Sequence, residues 1–165
     1  MEMINKYQFS ELVELHQFSM YRLVKSILIN EHDVEDAISS ALLKAYESRN
    51  TIRDINCFKS WILKIVSNES YTILRKKKNI IYVDEIKENQ YISDEHESPY
   101  EVWESIQRLE EKFRAIIVLF YYEDLSVKSI SNILNVNQNT VKVRLFRARQ
   151  KLKVELAKQG GLRSE

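Results

Sequence analysis

Residues 125–152 read LSVKSISNILNVNQNTVKVRLFRARQKL, and their spacing predicts a helix, a three-residue turn and a second helix. Ser126 is placed to cap the first helix, with Ile130, Ile133 and Leu134 as its apolar stripe. Asn135-Val136-Asn137 forms the turn: Asn tolerates left-handed backbone, Val136 plugs the corner, and Asn137 can cap the second helix. In that helix Val141, Leu145, Ala148 and Leu152 recur at i, i+4, i+7 and i+11, so they face inward. Lys142, Arg144, Arg147, Arg149, Lys151 and Lys153 take the other sides, with no acid among them. A helix-turn-helix that lays its second helix in a major groove between phosphate walls needs this distribution. An amphipathic packing helix with a solvated face accounts less well for charge of one sign.

Outward from this motif, the 165 residues suffice for one ordinary domain or two small ones, and 44% hydrophobic content supports a packed core. The chain has two glycines, side by side at Gly160-Gly161, and one proline, Pro99. So little punctuation, with recurrent 3.6-residue periodicity, predicts an all-α protein. The net charge of +1 hides a segregation. Residues 1–78 carry 12 basic against 10 acidic side chains, residues 79–105 carry 1 against 8, and residues 106–165 carry 12 against 6. Two small helical domains joined by an acidic linker are therefore expected, spanning 1–78, 79–98 and 99–158, with a tail at 159–165. The basic C-terminal domain points to a polyanionic partner.

In the N-terminal domain Phe9, Leu12, Val13, His16, Met20, Leu23, Val24 and Ile27 outline a long amphipathic helix, with His16 as a core histidine. Asp33 is placed to cap a second helix with Val34, Ala37, Ile38, Ala41, Leu42 and Ala45 on its core face. After a polar loop at about 48–56, a third helix near 57–78 buries Phe58, Ile62, Ile65 and Val66 and ends in Arg75-Lys76-Lys77-Lys78. Cys57 is read as a half-buried thiol at its start. Ser98-Pro99-Tyr100-Glu101 announces another helix: a cap, proline at the first position and a capping-box glutamate. One cysteine admits no internal disulfide, and the longest apolar run, 115–122, is too short to span a bilayer, so a cytoplasmic protein is expected. Scattered histidines and the lack of a Gly-rich phosphate loop or metal-ligand spacing argue against an enzyme, a metal or a cofactor.

The two halves together resemble a bacterial RNA polymerase sigma factor of the extracytoplasmic-function group, within the sigma-70 family. The resemblance covers about residues 9–158. It is strongest in LEEKFRAIIVLFYYEDLSVKSISNILNVNQNTVKVRLFRARQKL and weaker in DVEDAISSALLKAYESRNTIRDINCFKSWILKIVSNESYTILRKKK. It implies a factor that directs core RNA polymerase to promoter DNA and assists melting. Asp33, Glu35, Asp36, Ser39 and Ser40 match the polymerase-gripping helix, although Ser39-Ser40 stand where the family usually has Gln followed by an acid. Phe58, Lys59, Trp61, Lys64, Asn68, Arg75 and Lys76 match the region that opens and reads the −10 element. Core packing suits Trp61 as well as base contact does, and helix-end capping suits Arg75 and Lys76 as well as phosphate contact does. Asn139, Thr140, Lys142, Val143, Arg144 and Arg147 match the face that reads the −35 element.

Leu109-Glu110 stands where relatives often have Leu-Pro, so the helix from Pro99 is expected to run on to about Tyr122. The resemblance also brings in an anti-sigma protein as a candidate partner, and no small-molecule substrate or membrane insertion. The rival reading is a stand-alone helix-turn-helix regulator binding an operator, which leaves the acidic helix at Asp33–Asp36 unexplained.

Overall fold

The computed structural model describes residues 3–80 and 99–162, and side chains within 3–79 and 100–160. All regular structure among them is helical: α1 (Lys6–Ile27), α2 (Glu31–Ser48), α3 (Phe58–Ile80), α4 (Pro99–Gln107), α5 (Glu111–Ile117), α6 (Val127–Leu134) and α7 (Gln138–Leu162). Residues 81–98 of the expected linker, with the Ser98 cap, lie outside the described residues.

Local signals set most helix ends. Asn5 and Gln8 form a reciprocal capping box at α1, each side chain accepting from the other's backbone N–H at 2.9 and 3.0 Å. At α2 the cap is Asn30, not Asp33: its Oδ1 accepts from His32 and Asp33 N–H at 2.9 and 3.3 Å. Both are good capping residues three positions apart, and the earlier one wins, which turns Asp33 inward in the first turn. The polar loop closes in two 3₁₀ turns, Arg49–Thr51 and Ile55–Cys57, the second capped by Asp54. Cys57 is exposed rather than half-buried.

The helix expected to run from Pro99 to Tyr122 breaks at Arg108–Glu110. Leu109 N–H bonds back to Ile106 O at 3.0 Å, Glu110 adopts extended backbone, and α5 restarts behind it. A five-residue π-helical segment, Val118–Tyr122, closes with Glu123 N–H on Val118 O at 3.1 Å, and Asp124 then reverses the chain at φ 53°. Residues 159–162, expected as tail, continue α7.

The two domains share a core. Leu23, Val24 and Ile27 of α1, Ile62 and Val66 of α3, and Ile116, Leu119, Ile130 and Val141 of the C-terminal half belong to one buried cluster. A smaller cluster, Ile106, Leu109, Phe113, Ile117 and Ala148, fixes α4 and α5 against α7. Each buried side chain of this size contributes on the order of 1.5–3 kcal/mol. The packing thus sets α6 against both α3 and α7. No described helix is long and apolar enough to cross a membrane.

Candidate nucleic-acid interface

The helix-turn-helix assembles from its own sequence. Ser126 Oγ accepts from Ser129 N–H at 3.1 Å and starts α6. Asn135 ends it in left-handed backbone, φ 55° and ψ 45°, where few other side chains are tolerated. Val136 N–H bonds to Ser131 O at 3.2 Å, and the Ser131 hydroxyl donates to Val136 O at 2.6 Å, so the corner is tied twice. Asn137 Oδ1 accepts from Thr140 N–H at 2.7 Å and starts α7. Val141, Leu145 and Ala148 are buried, which presents the opposite face outward.

On that face Asn139, Lys142, Val143 and Arg147 are exposed, and Thr140 and Arg144 are half-buried. All but Lys142 line one shallow depression of about 350 Å³, with Lys112, Phe113 and Asn137. Amide, hydroxyl, aliphatic and guanidinium groups thus converge at the helix N-terminal half, a set that can bond base edges and phosphates. The later bases turn elsewhere. Arg149 lies 5.3 Å from the Phe120 ring centroid and donates to Tyr121 Oη at 2.5 Å, and Lys151 lies 5.4 Å from Phe113. These two pack on their own domain.

Along α3, Trp61, Lys64, Asn68 and Arg75 fall at i, i+3, i+7 and i+14, on one stripe. Lys64, Asn68, Arg75 and Lys76 are exposed, and Trp61 is half-buried against Phe58. Phe58 itself is 1% exposed. Its ring packs edge-on to Phe9 at 6.1 Å and stacks on His16 at 5.7 Å, so it builds the core and offers no surface to a base. The Ile55–Cys57 turn starts α3 with Phe58 pointing under α1, as its spacing predicts, and this rules out the base contact that the resemblance implies for it. Burial, then the nearby Lys59 charge, pushes the His16 pKa below its usual value despite Glu123.

Asn68, Thr72 and Arg75 also form one wall of a 520 Å³ cleft whose other wall includes Leu134, Asn135, Val136 and Arg144. Candidate −10 and −35 residues therefore face one another. Tyr71 lines the same cleft, and burial, then the Glu111 charge, pushes its phenol up to about 12.

On α2, Glu35, Asp36, Ser39 and Ser40 are exposed, with His32 Nε2 3.7 Å from Asp36. Asp33 is 8% exposed and ion-paired with Lys77 of α3, so its carboxylate faces inward.

Sequence reasoning missed Glu123. Its side chain is 1% exposed, yet its carboxylate meets Arg22 at 2.8 Å and Lys59 at 3.2 Å, both from the N-terminal half. Lys59 Nζ also donates to Glu123 O at 3.0 Å. Burial pushes the carboxyl up, but hydrogen bonds from Ser19, Arg22 and Lys59 with the Arg22 charge outweigh it and hold the pKa below the usual value. No local pattern marks such a residue, since its partners lie 101 and 64 positions away.

Residues 12–80 match sigma-70 region 2, and residues 100–152 match sigma-70 region 4. The chain is 32% identical over 147 residues to RNA polymerase sigma factor SigV of Bacillus subtilis, covering 87% of this chain and 88% of that protein. It is 30% identical over 166 residues to the ECF RNA polymerase sigma factor SigW of the same organism, covering 90% and 88%. Its fold is similar to that of the sigma factor RpoE in complex with the anti-sigma factor NepR from Bartonella quintana, with TM-score 0.74 and 22% identity, covering 90% of this chain and 96% of that one. It is also similar to CnrH in complex with the cytosolic domain of CnrY, with TM-score 0.62 and 20% identity, covering 93% and 90%. With sigma-70 regions 2 and 4 matched in this order, and with sigma factors, one of them of the ECF group, at 32% and 30% identity over most of both chains, this chain belongs to the extracytoplasmic-function group of the sigma-70 family.

Proposed function

We propose that this chain is the promoter-specificity subunit of RNA polymerase: it binds the core enzyme, directs it to particular promoters and assists their opening. The observation that carries this reading is the pairing of region 2 with a region 4 whose α7 turns Asn139, Lys142, Val143 and Arg147 outward. In this reading α7 enters the major groove at the −35 element, with Arg144 and Arg147 bonding guanine edges or phosphates and Asn139 suited to adenine. Thr140 and Lys142 hold the flanking backbone, and Val143 is placed for a thymine methyl.

The α3 stripe of Trp61, Lys64, Asn68 and Arg75, with Lys59 and Lys76 beside it, handles the −10 element: an aromatic and an amide for an unstacked base, cations for the displaced strand. Phe58 supports that helix from inside. Glu35, Asp36, Ser39 and Ser40 form the polymerase-facing surface, and Asp33 fixes its orientation through Lys77. Residues 1–78 and 99–158 act as the two functional units. The chain works in the cytoplasm, takes no cofactor and performs no bond chemistry itself. An anti-sigma protein is a fitting third partner, since the fold is similar to sigma factors held by such proteins.

The test is association with purified core polymerase. The wild-type chain should form a stable complex, Asp36→Arg should weaken it, and the variant's own DNA affinity should be unchanged. Failure of the wild-type chain to bind core polymerase would leave the stand-alone regulator reading.

A further inference from the structure

The names of the two promoter elements place their centres about 25 base pairs apart, on the order of 85 Å of B-form helix. Here the α3 stripe and α7 line a single cleft, with Asn68 and Arg75 on one wall and Arg144 on the other. A chain in this arrangement cannot reach both elements, so promoter engagement requires the domains to part. Parting must separate the shared apolar cluster and the Arg114 bonds to α1, and it must also free one buried carboxylate. Glu123 sits at the junction between the π-helical turn and the helix-turn-helix, and Asp124 at φ 53° reverses the chain directly behind it. Its carboxylate is inserted between Arg22 of α1 and Lys59 of α3.

We propose that Glu123 is an intramolecular latch: its carboxylate occupies Lys59 in place of a DNA phosphate and holds the free chain closed until promoter or polymerase contacts replace it. A carboxylate and a phosphate oxygen offer an ammonium group the same anionic acceptor, so the two compete for one Lys59. The chemistry also makes the latch reversible. Arg22 and Lys59 keep 35% and 31% of their side-chain surface exposed, so Glu123 alone is fully desolvated in the closed form, and opening returns it to water. Lys59 thereby differs from its α3 neighbour Lys64, which is exposed in the closed chain. The masking of Lys59 rests on its −10 role, but the closed state itself is a matter of shape and can be measured without polymerase or DNA.

Arg22→Glu sets a second carboxylate against Glu123 at a side chain 35% exposed, where neither domain's core depends on it. Glu123→Gln removes the charge and keeps the size. The full chain is compared with both variants by small-angle scattering and by the distance between labels on the exposed Cys57 and on Ala157→Cys in α7. Amine-reagent labelling of Lys59 is read by mass spectrometry against Lys64 as the internal standard.

The wild type should scatter near the about 15 Å radius of gyration of a compact chain this long. Both variants should be larger, with a longer interlabel distance, unchanged helicity and Lys59 labelling several-fold faster. Unchanged size and Lys59 reactivity in both variants would overturn the latch. Loss of helicity in Arg22→Glu would also overturn it, because the latch joins the domains and does not hold either together. Transcription by the wild type is untouched by either outcome, so failure of the latch is distinguishable from failure of the promoter-specificity reading.

Discussion

The Arg114 guanidinium of α5 donates through Nε to the backbone oxygen of Ser26, in the last turn of α1, at 2.5 Å. Its two other nitrogens reach Leu109 O at 2.6 Å and Ile27 O at 3.4 Å. A helix C-terminus leaves carbonyls without intrahelical partners, and here a cation from the other domain satisfies them while complementing the helix dipole.

Arg114 is 6% exposed, so truncation strands buried carbonyls. Arg114→Ala should cost about 2–4 kcal/mol, since bonds from a charged donor contribute about 1.5–3 kcal/mol each and are not additive. Urea unfolding measures it. A cost within experimental error would mean that the carbonyls find water and that Arg114 does not tie α1 to α5.

Asn135 occupies left-handed backbone at the corner of the helix-turn-helix. Asn135→Ala should destabilise by about 1 kcal/mol, or roughly 2–4 °C in Tm for a chain of this size, whereas Asn135→Gly should be nearly neutral. Equal losses in the two variants would indicate that the side chain, and not the backbone geometry, matters there.

Arg147 is exposed on the outward face of α7. If it bonds a guanine edge, Arg147→Ala should lose about 1–3 kcal/mol of binding to −35 duplexes and relax preference at one position. A uniform loss across sequences, with a salt slope shallower by about one, would reassign it to phosphate.

The Tyr71 phenol is pushed up to about 12 by burial, then by the Glu111 charge, despite the charges of Arg144 and Arg114. Its contribution to stability is present below the unfolded pKa of about 10 and is lost as pH rises from there through the folded value. Tyr71→Phe should lose less stability than the wild type between pH 10 and about 12. Parallel curves for the two proteins would show that Tyr71 does not carry this dependence.

What could be read in the sequence was local. The caps at Ser126 and Asn137 and the left turn at Asn135 each depend on residues within three positions, so pattern and chemistry agree. The α2 start failed because Asn30 and Asp33 are both competent caps, and only packing of Asp33 against Lys77 distinguishes them. The break at Arg108–Glu110 carries no proline or glycine; it is imposed by burial of Leu109 beneath α7 and by Arg114 bonding its carbonyl. Among the site residues, the spacing reads Phe58 as buried and the resemblance reads it as a −10 contact; the packing of α3 under α1 puts its ring inside and excludes the second role. Glu123 and the shared cleft were invisible for another reason: a carboxylate's partners on distant helices leave no periodic trace.

The decisive experiment is transcription by purified core RNA polymerase on genomic promoter fragments, with and without this chain. Initiation at defined start sites only when the chain is present is the expected result, with strand opening around the −10 element at those sites. Identical transcript patterns with and without it, at concentrations where the complex forms, would contradict a role in promoter selection.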